Sequence, residues 1–408
     1  MKRLSFALNL IAILAFWLAF PYSIWAKEVS LPLSALSSDD AFLVAGPDGK
    51  ILYRQNEKKR YVPASTLKIL TALAAIHYLG RSYRFKTEFY LDCKQNLKVK
   101  GYGDPLLISE VWQGIALELA SRISGFKDLL LDDTYFSRDI SIPGATDSTN
   151  PYDAPIGALC ANFNTVYFKH NEKGKIVSAE PQTPMTSLAL RKIRLLGLKR
   201  GRYTFTHERN ETPRYAGELL AYFLGKGGMN FSGDIRFGVV GEKDRLLYTY
   251  RSAFSLEEAL RKMLEFSSNF MANQVLVTLG AALHGPPGTL EKGVRSLSDY
   301  CKEILHLKDT KVVEGSGISR QNSMSAMDML TVLKAFEIHR DLLGRQGSIL
   351  YKSGTLKDIR TRAGYMEFEG GKIYYFVIFL KDSNADITSV LSALRKRLSA
   401  HRKEATVQ

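Results

Sequence analysis

One stretch constrains this chain more than any other: a helix that is apolar on almost every side and still carries a lysine. It runs from Val62 to Gly80, with Pro63 just ahead of its start, Ser65 in the cap or first turn and Gly80 as a stop. Between Thr66 and Ile76 the only polar side chains are Thr66, Lys68 and Thr71, so the helix belongs inside a core rather than on its surface. Ser65 and Lys68, three residues apart, project from one face within reach of a shared hydrogen bond. Burial disfavours the ammonium form, and a neutral amine beside a hydroxyl is a general base beside a nucleophile. On this pair alone, a lysine snorkelling from a helix end stays an open alternative.

At 408 residues the chain has room for two or three domains and enough apolar content for a real core. Met1, Lys2 and Arg3, the apolar run from Leu4 to Phe20 and the segment ending at Ala26 have the layout of a secretory signal peptide. Residues 1–26 are therefore expected to be a cleaved leader or, if Ile24 defeats cleavage, a retained N-terminal anchor. Export places the protein in the periplasm or on the cell-wall side, and an uncleaved N-terminus would hold it at the membrane. Three cysteines, Cys93, Cys160 and Cys301, allow one disulfide at most and exclude a disulfide scaffold. The seven histidines lack ligand spacing, so no metal site is expected. A formal net charge of +15, densest near Arg395–Arg397 and His401–Lys403, suits an anionic wall polymer or lipid surface better than nucleic acid outside the cytoplasm. A solvated basic surface without a partner is the plain alternative.

Ala41 to Ala45 and Lys50 to Tyr53 read as two strands around a Gly46–Gly49 turn, leading through a basic loop to the Ser65 helix. From about residue 85 to 250 the text changes to short strands and turn clusters, with helices at Ser109–Ser124 and Thr212–Leu224. Helical periodicity returns over Ser255–Leu279, broken at Ser267, Ser268 and Asn269, where local side-chain bonding loosens a helix and presents polar groups to a cleft. Helices at Thr289–Leu305 and Ser325–His339 flank the glycine-punctuated loop Glu314–Asn322. A meander follows (Ser348–Tyr351, Arg362–Glu367, Lys372–Leu380), then a helix over Ile387–Ala400. Lys352, Ser353, Gly354 and Thr355 sit at the end of a strand.

Three short patterns thus occur in order: Ser65-x-x-Lys68, Ser267-x-Asn269 and Lys352-Ser353-Gly354. The same order marks penicillin-binding proteins and class A β-lactamases. With Pro63–Lys68, Gly103–Pro105, Asn162–Asn164, Glu314–Asn322 and Lys352–Leu356 as context, the chain from about residue 35 to 395 resembles the D-alanyl-D-alanine carboxypeptidase/endopeptidase family. These are class C low-molecular-mass penicillin-binding proteins, serine peptidase family S13, typified by penicillin-binding protein 4. The resemblance implies an α+β transpeptidase-like domain, a five-stranded antiparallel sheet covered by helices, formed by residues 27–85 and 250–400. An inserted domain would span 86–249, with a basic tail at 401–408. The long interval between the first two motifs disfavours a class A β-lactamase.

What the resemblance further implies is a role for each residue. Ser65 would be the nucleophile, Lys68 its base, and Ser267 the hydroxyl passing a proton to the leaving amine. Asn269 would hold a substrate amide, Lys352 would supply positive potential near Ser267, and Ser353 and Thr355 would bind the substrate carboxylate. The backbone N–H groups of Ser65 and Thr355 would form the oxyanion hole, and no metal or organic cofactor is required. Peptidoglycan stem peptides would be the substrates and β-lactams the inhibitors, with no nucleic-acid partner. Ser268 stands where the family usually has Asp, Ser353 where it has Thr, and Tyr102 and Glu314 replace Gly and Asp. Gly315, Ser316 and Gly317 read as a structural turn beneath the site. Two competing readings are a decayed wall-binding or scaffold protein of the same fold and a β-lactamase-like hydrolase.

Overall fold

A computed structural model describes residues 36–405 apart from 232 and 382–384, so the expected leader at 1–26 lies outside the described residues. The main sheet is antiparallel, in the order Gly344–Gln346, Ile349–Leu356, Ile359–Phe368, Lys372–Lys381, Ala41–Ala45, Ile51–Gln55. Five strands were expected; the sixth is the three-residue Gly344–Gln346, which pairs only with Ile349, Leu350 and Tyr351. The outer edge of the Lys352 strand is therefore left unpaired by the sheet beyond Tyr351. Ala41–Ala45 is buried at all five positions, as a central strand covered on both faces should be.

The Ser65 segment begins as a single 3-10 turn, Ala64–Thr66, and continues as an α-helix over Leu67–Leu79. Its residues from Leu67 to Ala75 are all buried, and each large aliphatic side chain among them contributes about 1.5–3 kcal/mol relative to exposure. Gly80, at φ +82°, ends the helix in a conformation few other residues adopt. The helical run around residue 267 is two helices, Leu256–Glu265 and Asn269–His284. Ser267 between them has φ +53°, a left-handed conformation uncommon for a residue with a Cβ. Ser268 caps the second helix by accepting a bond from Met271 N–H at 3.2 Å. Asp and Ser are about equally good caps, which gives a physical reason for the serine at this position.

Among the described residues two large apolar cores form. One gathers residues of the main sheet, the Leu67–Leu79 helix and the helices after residue 255. The other is built around Phe89, Trp112, Leu131, Phe168 and Tyr215. Over it lies a mixed sheet ordered Ile235–Phe237, Leu129–Asp132, Leu97–Gly101, Lys86–Leu91, Arg245–Arg251. Most of these strands were not legible in the sequence, nor was the helix Ser187–Leu195. A further short strand spans Gly201–Tyr203. The last helix, Ile387–Ala405, belongs to a separate unit and repeats Ile387, Leu391, Leu394 and Leu398 along one face.

Candidate active site

Pro63 and Ala64 set the position of Ser65. The Pro63 carbonyl accepts from Thr66 Oγ1 at 2.6 Å and from Thr361 Oγ1 at 2.8 Å, tying the turn to the neighbouring strand. Ala64 is held at φ +47°, a strained geometry that survives because its surroundings leave it no alternative. Two glycines press on this turn. A Cβ on Gly317 would lie 1.9 Å from the Ala64 carbonyl oxygen, and one on Gly354 would lie 2.6 Å from Ser65 N. Neither position has room for a side chain. No side chain caps the start of the helix, so the N–H end carrying Ser65 keeps its partial positive charge.

Lys68 is fully buried. Its Nζ donates to Asn269 Oδ1 at 2.8 Å and the Ser316 carbonyl at 2.7 Å and lies 2.9 Å from Ser65 Oγ, so the neutral amine spends both protons on the first two and turns its lone pair to the Ser65 hydroxyl. Desolvation holds its pKa well below the usual lysine value; the nearby Lys352 charge adds to this, and Glu314 opposes it. Burial wins, because three short hydrogen bonds do not replace the hydration of an ammonium ion. The structure thus brings the first two motifs into direct contact.

The third motif arrives on the Ile349–Leu356 strand. Alternation buries Lys352 and Gly354 and leaves Ser353 and Thr355 exposed, so the two hydroxyl residues share the open face. Lys352 Nζ donates to the Ser353 carbonyl at 2.9 Å, and desolvation lowers its pKa to about 8. No hydrogen bond joins Lys352 to Ser267 among the described residues. Ser267 stands at the strained junction beside Asn269, whose Nδ2 donates to the Tyr152 carbonyl at 3.3 Å. A groove of about 420 Å³ opens next to Asn269, walled by Tyr152, Phe163, Arg202 and Phe266.

Sequence reasoning missed three contributors. Ser316 was read as part of a turn, yet its carbonyl touches Lys68. Asn273, one helical turn beyond Asn269, donates to Glu314 Oε2 at 3.3 Å and accepts from Gly315 N–H at 2.8 Å. Thr71, on the same face as Lys68, donates to the Gly315 carbonyl at 2.7 Å. The only available signal was the helical spacing of Lys68 with Thr71 and of Asn269 with Asn273. Tyr102 donates to Glu88 under the Lys86 ammonium, and Asp104 is a buried cap for Leu106 N–H at 2.9 Å. Among the described residues no cluster of His, Cys, Asp and Glu is arranged to hold a metal. All three cysteines are free.

With this geometry in hand, known proteins are informative. The D-alanyl-D-alanine carboxypeptidase DacB of Haemophilus influenzae is 23% identical over 83% of this chain and 85% of its own length. The crystal structure of penicillin binding protein 4 from the same organism superposes with a TM-score of 0.72 at 22% identity, covering 90% of this chain and 98% of that one. A penicillin G-acylated predatory endopeptidase of Bdellovibrio bacteriovorus shares the fold at a TM-score of 0.51 and 17% identity, over 89% of this chain and 92% of that one. A sequence model of one peptidase family matches residues 44–345, most of the chain and all of the Ser65, Ser267 and Asn269 motifs. The chain belongs to the D-Ala-D-Ala carboxypeptidase 3 (S13) family, a family of serine-type peptidases.

Proposed function

We propose that the protein is an exported, penicillin-sensitive DD-peptidase that trims or cuts peptidoglycan stem peptides through a Ser65 acyl-enzyme. The observation that carries this reading is the 2.9 Å contact between Ser65 Oγ and the fully buried, charge-disfavoured Lys68. In the first step Lys68 Nζ takes the Ser65 proton as Oγ attacks the carbonyl carbon between two D-alanines. The oxyanion would lie between the N–H groups of Ser65 and Thr355, each such donor contributing about 3 kcal/mol of transition-state stabilisation. The C–N bond then breaks, and the amine leaves with a proton delivered through Ser267. Water hydrolyses the ester, returning the proton to the Lys68–Ser65 pair.

The stem peptide would lie along the unpaired edge of the Lys352 strand, adding a strand through its main chain. Its terminal carboxylate would meet Lys352, Ser353 and Thr355, and Asn269 would contact its amide. On this reading residues 27–85 and 250–400 form the catalytic domain and 86–249 the insertion, which meets the site at the Tyr152 carbonyl. β-Lactam reactivity is supported by the acylated structural neighbour.

The test is mass spectrometry after incubation with a labelled penicillin. One adduct per chain on wild type, absent from Ser65→Ala, is the expected result. No adduct on wild type removes the reading in favour of a decayed scaffold, and rapid turnover of the label favours a β-lactamase-like hydrolase. Digestion of purified muropeptides then separates carboxypeptidase from endopeptidase products.

A further inference from the structure

Beneath the Ser65–Lys68 pair lies a fully buried carboxylate that the two-step reaction does not use. Glu314 opens the glycine loop and receives six hydrogen bonds from it and its neighbours. Oε2 accepts from Ser316 N–H at 2.7 Å, Ser316 Oγ at 2.6 Å and Asn273 Nδ2 at 3.3 Å. Oε1 accepts from Gly317 N–H at 2.7 Å, Asn322 Nδ2 at 2.6 Å and Ser319 N–H at 3.4 Å. Only an acceptor on both oxygens satisfies such a shell; an amide in its place would turn an NH2 onto three donors.

The loop so gathered is clamped to the catalytic elements at successive residues. Gly315 is held by Asn273 through its N–H and by Thr71 through its carbonyl, at 2.8 and 2.7 Å. Ser316 offers its carbonyl to Lys68 at 2.7 Å. Gly317 packs without a side chain against Ala64, the residue before the nucleophile. A carboxylate that orders residues 315–319 therefore sets both an acceptor of Lys68 and a surface under Ser65.

We propose that Glu314 is a positioning residue for acyl transfer: through the loop it orders and the Ser316 carbonyl it fixes where the Lys68 amine sits against Ser65 Oγ. This rests on Lys68 being the base. The charged groups bearing on Lys68 are Lys352, from the strand, and Glu314, from the loop; the Asn269 helix contributes only amides. Lys352 favours the neutral amine and Glu314 the ammonium form. Glu314 thus sets a ceiling on the depression produced by burial.

The experiment is the rate of labelled-penicillin acylation against pH for wild type, Glu314→Gln and Asn322→Ala, with unfolding temperature measured alongside. Acylation rises with pH as Lys68 loses its proton. In Glu314→Gln the rise is expected to move to lower pH by about half a unit or more, because the anion favouring the ammonium is gone. The maximum rate should fall about tenfold as the Ser316 carbonyl shifts. In Asn322→Ala the carboxylate loses a donor that disperses its charge, and the rise should move to higher pH. That variant decides the matter if Glu314→Gln does not fold. A purely structural role would lower stability in both without moving the pH rise. If the variants that fold acylate with the wild-type pH rise, Glu314 is not a positioning residue; if wild type does not acylate at all, it is the peptidase reading that fails.

Discussion

Lys68 and Lys352 are both buried amines in one cleft, and their surroundings could hardly differ more. Lys68, with no exposure, has three hydrogen-bond partners drawn from three separate segments. Lys352, 5% exposed, donates among the described residues only to the carbonyl of its own neighbour, Ser353. Desolvation depresses both, but Lys68 is enclosed by acceptors in fixed positions while Lys352 keeps donors free beside an open strand edge. The contrast separates two uses of a buried amine. On the proposed mechanism one would be immobilised to move a proton, and the other would have its shell completed by an arriving carboxylate.

The largest effect expected from breaking this comparison is Lys68→Ala, which should slow acylation about a thousandfold while cooperative unfolding persists. Near-normal acylation in that variant would remove Lys68 as the base. Next is the contact joining the two regions. Gly354→Ala puts a Cβ 2.6 Å from Ser65 N and 2.4 Å from Thr361 Oγ1. Displacing Ser65 by the required ångström should cost about a hundredfold in acylation rate, read by stopped-flow with a chromogenic β-lactam. A wild-type rate there would mean the turn is softer than its packing implies.

Burial, which holds the Lys352 pKa at about 8, makes stability depend on pH. An unfolded lysine titrates near 10.4, so between about pH 8 and about pH 10.4 the unfolded chain holds a proton the folded chain has shed. The Lys352 contribution to stability is therefore flat below about pH 8 and rises with pH across that window. Urea unfolding of wild type and Lys352→Met should show the difference between them shifting in favour of wild type by on the order of 2 kcal/mol from about pH 7 to about pH 10. A constant difference would place the Lys352 pKa near its ordinary value. Smallest is Thr71→Val, which leaves the Gly315 carbonyl without its donor and should lower stability by about 1–2 kcal/mol with the acylation pH rise unmoved.

Much of the site could be read from sequence because its pieces are local. Ser65 and Lys68 share a helix face, Ser267 to Asn269 interrupt a helical repeat, and Lys352 to Thr355 alternate on a strand. The insertion was less legible. Its strands Leu97–Gly101 and Leu129–Asp132 pair in parallel, so neither carries the turn signal of a hairpin. Glu314 and Asn273 were invisible as partners for a related reason: each is an ordinary polar residue until folding closes water out around it.

The kind of chemistry available follows from residue order alone, since helix periodicity, caps and the spacing inside each motif depend on residues a few positions apart. What the buried lysine touches is settled by how the folded chain packs. Two of its three partners, Asn269 and Ser316, come from 201 and 248 positions away. Contacts at that separation are set by which apolar faces pack together, and packing, not spacing, also puts Ala64 into a left-handed turn between two glycines.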